Sequence, residues 1–132
     1  MKKISFTILF LFLINFTYSQ NDEDFTYVAT EKNETKYYIH FEKEGINSKE
    51  YWVKRIFPTK TIKNKKGKYV TTGGGYDFVY LEIYCDNKTY STSDSIRYDS
   101  KGNVIARDYS NEFNSKIIPG SVLYTIYSEI CN

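Results

Sequence analysis

Histidine is nearly absent from this chain, with His40 the only one in 132 residues. That takes the commonest general base and metal ligand out of play at every other position. A lone histidine on a strand more often serves structure than proton transfer. Cysteine is also scarce, with Cys85 and Cys131 alone. In an oxidising compartment such a pair reads as a disulfide rather than as a nucleophile or ligand set, and two free thiols are the alternative. Serines are plentiful, yet none stands in a Gly-x-Ser-x-Gly elbow. Gly73-Gly74-Gly75 is not followed by Gly-Lys-Ser/Thr and opens no helical pattern. It reads as a flexible connector or bulge between strands rather than a phosphate loop. Asp99-x-x-Gly102-Asn103 lacks the ligand spacing of an EF-hand. The expectation is a protein that is not an enzyme, with no catalytic residues, metal site or cofactor.

Net charge is small as well. With Lys2 and Lys3 set aside, the remaining basic residues equal the 16 acidic ones. A balanced chain gives no argument for nucleic acid or general membrane attraction. Only one long apolar run exists, Ile4 to Phe16, behind the basic start Met1-Lys2-Lys3 and ahead of Asp22-Glu23-Asp24. At about 13 residues it is too short to cross about 30 Å of hydrocarbon as a helix. The layout is that of a secretory signal peptide over residues 1–19, cleaved after Ser19. No cysteine follows the run to accept a lipid. The protein is therefore expected to be exported, as a periplasmic, secreted or cell-surface protein without lipid anchor or transmembrane segment. Residues 20–132 are one domain's worth of chain.

What the chain does have is aromatic residues, with 14 tyrosines and nine phenylalanines. Tyrosine suits a half-buried pleated surface, with its ring packed and its hydroxyl wet. From Phe25 onward the chain reads as short strands split by turn residues: Phe25–Thr30, Lys36–Glu42 and Glu50–Phe57. Alternation in the third puts Tyr51, Val53, Arg55 and Phe57 on one face and Trp52, Lys54 and Ile56 on the other, so cover on both sides is expected. A fourth strand starts at Tyr69. The strongest is Asp77–Cys85, which turns Val79, Leu81, Ile83 and Cys85 one way. Further runs at Thr89–Thr92, Ser95–Tyr98 and Val104–Tyr109 follow, the last two joined by a turn at Asp99–Asn103.

After Pro119-Gly120, Ser121 is a natural helix N-cap. Val122, Leu123, Ile126, Tyr127 and Ile130 fall at helical spacing. Cys131 can then reach Cys85, closing a loop of about 45 residues worth roughly 4 kcal/mol. The expected fold is α+β: an antiparallel sheet of about six strands, a carboxy-terminal helix packed on it and a sheet-to-helix disulfide.

The candidate binding residues are Lys60, Lys63, Lys65, Lys66 and Lys68, five lysines with no acidic residue among them. They form a local positive tip suited to an anionic glycan, a phospholipid head group or an acidic protein patch. The competing reading is a solubilising hairpin tip or edge guard. Trp52, with Tyr80 and Tyr84, is the second candidate, against ordinary sheet packing.

The order of pieces from Tyr51 to Cys131 resembles the surface-adhesin protein E-like domain of secreted bacterial proteins. The matching features are Trp52-Val53 on an early strand, Tyr84-Cys85-Asp86, the Tyr98–Val104 hairpin, and Pro119-Gly120-Ser121 leading through an aromatic helix to Cys131. The resemblance implies a small α+β domain with a sheet-to-helix disulfide and a role in protein or extracellular-matrix contact. The expected function is thus a non-enzymatic binding domain. The alternative is a periplasmic accessory or immunity-type protein that binds one specific partner.

Overall fold

The computed structural model describes residues 24–109 and 111–132, so the expected leader over residues 1–19 lies outside the described residues. Among the described residues, nine strands precede one helix. They are β1 (Thr26–Thr30), β2 (Lys36–Glu44), β3 (Lys49–Ile56), β4 (Thr59–Lys63), β5 (Tyr69–Gly73), β6 (Tyr76–Tyr84), β7 (Thr89–Tyr98), β8 (Val104–Asp108) and β9 (Glu112–Lys116), followed by α1 (Val122–Cys131). Seven strands form an antiparallel sheet in the order β1-β2-β3-β6-β7-β8, and β9 also pairs with β7. β8 takes the Ser95–Tyr98 end of that β7 edge and β9 the Thr89–Thr92 end. β4 and β5 form a separate two-stranded ribbon between β3 and β6.

The sheet is six strands across, as expected, and β9 is a seventh strand that shares an edge of β7 with β8. β9 is polar and mostly exposed, with no apolar alternation to announce it. Thr59–Lys63 reads as polar connector because nothing in it faces a core. Thr89–Thr92 and Ser95–Tyr98 are a single strand, carried through a bulge opposite Val79–Leu81.

The core lies between one face of the sheet and α1. Val53, Leu81, Ile83, Ile126 and Ile130 are its buried members. Each such side chain contributes about 1.5–3 kcal/mol relative to exposure. Ser121 caps the helix, its Oγ accepting Tyr124 N–H at 3.1 Å. Ile126 and Ile130, one turn apart, are the residues that α1 buries against the strands. At its far end the Ile130 carbonyl accepts Lys49 Nζ at 3.0 Å, a cation where the helix dipole is negative. Cys85 and Cys131 are bridged across a Cα–Cα distance of 5.6 Å and a sequence separation of 46. The sheet-to-helix disulfide is therefore present, and neither cysteine is free.

The opposite face of the sheet carries Tyr38, Trp52, Lys54, Phe78 and Tyr80, in register on β2, β3 and β6. Cover on both sides was the expectation for β3. Among the described residues no second helix or sheet lies over this face; aromatic rings pack against one another instead. Lys54 is buried there beneath the rings of Phe25, Tyr76 and Phe78, 5.3–5.8 Å from their centroids.

Candidate functional site

The triple glycine makes the ribbon possible. Gly73, Gly74 and Gly75 all take positive φ, between 77° and 84°, where a side chain is strained. Gly74 N–H donates to the Pro58 carbonyl at 3.0 Å and Phe57 N–H to the Gly75 carbonyl, also at 3.0 Å. A Cβ on Gly75 would fall on the Tyr98 carbonyl oxygen and within 3.0 Å of the Asp99 carbonyl carbon. The segment, expected as a flexible connector or bulge between strands, is a tight elbow packed on the β7–β8 turn.

Beyond the elbow, every residue of β4 and β5 is exposed. Asn64 organises the tip: its Oδ1 accepts Lys66 N–H at 3.0 Å and Lys68 N–H at 2.9 Å, and Gly67 supplies the positive φ of 76°. Lys60, Lys63, Lys65, Lys66 and Lys68 are thus gathered on one projecting element. None of the five makes an ion pair with a described residue. Lys63 Nζ lies 5.9 Å from the Tyr69 ring centroid. Tyr69 is 74% exposed, and Ile62 and Val70 stand side by side on the ribbon. The ribbon can offer positive charge with apolar and aromatic surface among it.

Trp52 is not part of that group. It stands on β3 in register with His40 and Tyr80, half-buried, with its ring centroid 4.9 Å from that of Tyr80 in an edge-on arrangement. The Tyr80 hydroxyl donates to Glu50. Burial and then that carboxylate push the Tyr80 pKa well above its ordinary value. Tyr84 is raised for the same reasons, with Glu82 as its carboxylate.

Several titratable groups of the described residues already hold partners. His40 Nδ1 is 2.9 Å from the Asp24 carbonyl oxygen. Glu82 accepts Ser48 Oγ at 2.6 Å, and Glu50 pairs with Lys43 at 3.5 Å. Asp86 borders a polar notch with Glu44, Asn47 and Lys49. Asp99 is occupied by its own turn: Asn103 Nδ2, Asn103 N–H and Lys101 N–H all donate to it, and they hold its carboxyl below the ordinary range. Among the described residues no three His, Cys, Asp or Glu side chains gather as a metal set.

One arrangement is missing from the sequence reading. Tyr37, Arg55, Asp77 and Arg97 lie in register across β2, β3, β6 and β7, on the helix-covered face. Asp77 is fully buried and accepts Arg55 Nε at 2.7 Å and Nη2 at 2.6 Å. Arg97 Nη2 reaches the same carboxylate at 3.3 Å. Burial works against the Arg55 charge, but Asp77 outweighs it and raises the Arg55 pKa. The signal was available: Asp77 has the same parity as Val79, Leu81 and Ile83, so a carboxylate had to face inward and find a partner.

Comparison with protein-family models, with curated proteins and with solved structures gives no match in any of the three. The functional argument therefore rests on the geometry.

Proposed function

We propose that this protein is a non-enzymatic, exported binding domain that meets a protein, matrix or envelope partner of anionic character through its β4–β5 ribbon. The observation that carries the reading is the set of five exposed lysines without ion-pair partners among the described residues, on an element that contains no acidic residue and buries nothing. A hairpin that contributes no core is free to present chemistry. The Cys85–Cys131 bridge supports export, because disulfides persist in oxidising compartments. The likeness in element order to the surface-adhesin protein E-like domain supports an adhesin-like contact.

A second reading draws on the aromatic face. Trp52 and Tyr80 are ring types that anchor tight interfaces, and a single protein partner held there would be an accessory or immunity-type relationship.

One experiment separates them. The domain from Gln20 to Asn132 and a version with all five lysines changed to glutamine are used to capture partners from envelope extract and from immobilised matrix proteins. Salt-sensitive capture, weakened about tenfold or more in the glutamine version, supports the ribbon. One stoichiometric partner retained by that version and lost in Trp52→Ala supports the aromatic face and overturns the ribbon.

A further inference from the structure

The β4–β5 ribbon has two open edges, and they differ from the outer edges of the main sheet. There each ladder to an outer strand is interrupted by a register shift: between Tyr27 and Ala29 on β1, between Arg97 and Tyr98 against β8, and between Tyr90 and Thr92 against β9. Bulges of this kind bend an edge and discourage further pairing. The ribbon's register runs from Thr59 opposite Gly73 to Lys63 opposite Tyr69 with no shift. Neither of its strands pairs with a third among the described residues.

The phase of the ladder fixes which main-chain groups line those edges. Asn64 N–H donates to the Lys68 carbonyl at 2.8 Å at one end, and Gly74 N–H to the Pro58 carbonyl at 3.0 Å at the other. Bonded and non-bonded pairs alternate in an antiparallel ladder, so Ile62–Val70 and Lys60–Thr72 are the bonded pairs between those ends. The N–H and C=O groups of Thr61 and Lys63 therefore point outward from β4, and those of Tyr69 and Thr71 outward from β5. Of the two strands only β4 carries charge, since Tyr69–Gly73 has none. Lys63 shares one face with Thr59 and Thr61, and Lys60 shares the other with Ile62.

A smooth basic edge complements an acidic chain in extended conformation. A second copy of the ribbon is disfavoured there, because it brings five more lysines against these five. An added strand also turns a marginal two-stranded hairpin into a three-stranded sheet. We propose that an acidic peptide segment binds as a strand along β4, its main chain bonded to Thr61 and Lys63 and its carboxylates opposite Lys60 and Lys63. In antiparallel register the segment then has the order acidic, apolar, any residue, acidic, with its apolar side chain beside Ile62. The proposal rests on the reading of the ribbon as the binding element and adds how the ribbon binds.

The probe is a capped peptide with the core Glu-Val-Thr-Glu, titrated into the protein by calorimetry and followed by amide hydrogen exchange. The expected result is saturable binding that weakens with salt, with exchange slowed about tenfold or more at the Thr61 and Lys63 amides. Methylating the nitrogens of the first Glu and the Thr keeps both carboxylates but removes the two donors that face β4. That peptide should bind about tenfold or more weakly. Methylating the Val and second Glu nitrogens, which face solvent, should leave affinity nearly unchanged. A Gln-Val-Thr-Gln core should bind about fivefold or more weakly. All of these comparisons use the unaltered protein, so none depends on a variant folding. Absence of saturable binding, equal affinity of the two methylated peptides, an unweakened glutamine core, or protection at Tyr69 and Thr71 in place of Thr61 and Lys63 would overturn strand addition on β4. Capture of envelope or matrix partners by the unaltered and five-glutamine proteins decides the ribbon's binding role separately. Capture that depends on the lysines, beside equal binding of the two methylated peptides, would keep that role and remove only the strand mode.

Discussion

Ile62 and Val70 face each other across the ribbon, and Val53 and Val79 face each other across the main sheet. The two pairs are chemically alike. Yet Ile62 and Val70 remain 49% and 37% exposed, whereas Val53 is 6% exposed because α1 lies over it. Cross-strand pairing alone therefore does not exclude water; a second layer does. The main sheet draws hydrophobic free energy from its helix and covalent restraint from its disulfide. The ribbon has only its hydrogen-bond ladder, the Asn64 turn and the glycine elbow, and a lone hairpin is marginal in water. The lesson is that the two regions are held differently and so tolerate change differently. The body should be intolerant of substitution, and the ribbon's side chains should be nearly free of structural duty.

The largest break in this comparison should come from the staple. Cys85→Ser or Cys131→Ser releases a link across 46 residues of sequence. About 4 kcal/mol of stability should be lost, read as a fall of well over 10 °C in melting temperature, with one titratable thiol left behind. Unchanged melting would show that helix packing alone holds the two layers. Asp77→Ala should come next, at about 3 kcal/mol, because two guanidinium groups would lose a fully buried carboxylate. Urea denaturation of the single variant, and of one with Arg55 also replaced by Met, measures this; the double variant should recover part of the loss.

Glycine offers a sharper version of the same contrast. Gly75 and Gly102 have nearly equal φ, 84° and 85°. A Cβ on Gly75 meets the Tyr98–Asp99 backbone, whereas one on Gly102 meets nothing within 4 Å. Gly102→Ala should cost about 1 kcal/mol from backbone strain alone. Gly75→Ala should cost at least about 2 kcal/mol, because backbone must also shift. Equal costs by chemical denaturation would mean that the elbow is not anchored on the β7–β8 turn.

The parts of the fold that were legible in the sequence are those where burial writes a period. Val79, Leu81, Ile83 and Cys85 alternate because every second residue of β6 faces α1, and Ile126 and Ile130 recur one turn apart because α1 has one buried stripe. Ser121 was legible as a cap because a hydroxyl after Pro119-Gly120 has few other local uses. β9 and β4 were not legible. Their residues are exposed, their pairing is decided by main-chain hydrogen bonds to β7 and β5, and main-chain bonding leaves no mark on side-chain pattern. The same reasoning explains the lysines and the ion cluster under the helix. The lysines were visible as a run in one segment. Arg55, Asp77 and Arg97 are distant in sequence and became a cluster only when register aligned three strands.

The smallest stability effect should be the most informative one. Changing Lys60, Lys63, Lys65, Lys66 and Lys68 together to glutamine removes five charges, each on an exposed side chain that makes no ion pair with a described residue. Surface substitutions of this kind stay within about 0.5 kcal/mol each, and relief of mutual repulsion at the tip offsets part of any loss. The melting temperature should therefore move by only a few degrees, against the much larger fall expected for Cys85→Ser. Its dependence on salt should weaken, since the like charges crowded on the tip are gone. A fall comparable to that of the cysteine variant would mean that the lysines support the ribbon or its elbow structurally. Their exposure would then no longer argue for a binding role, and the distinction between a packed body and a presenting ribbon would fail.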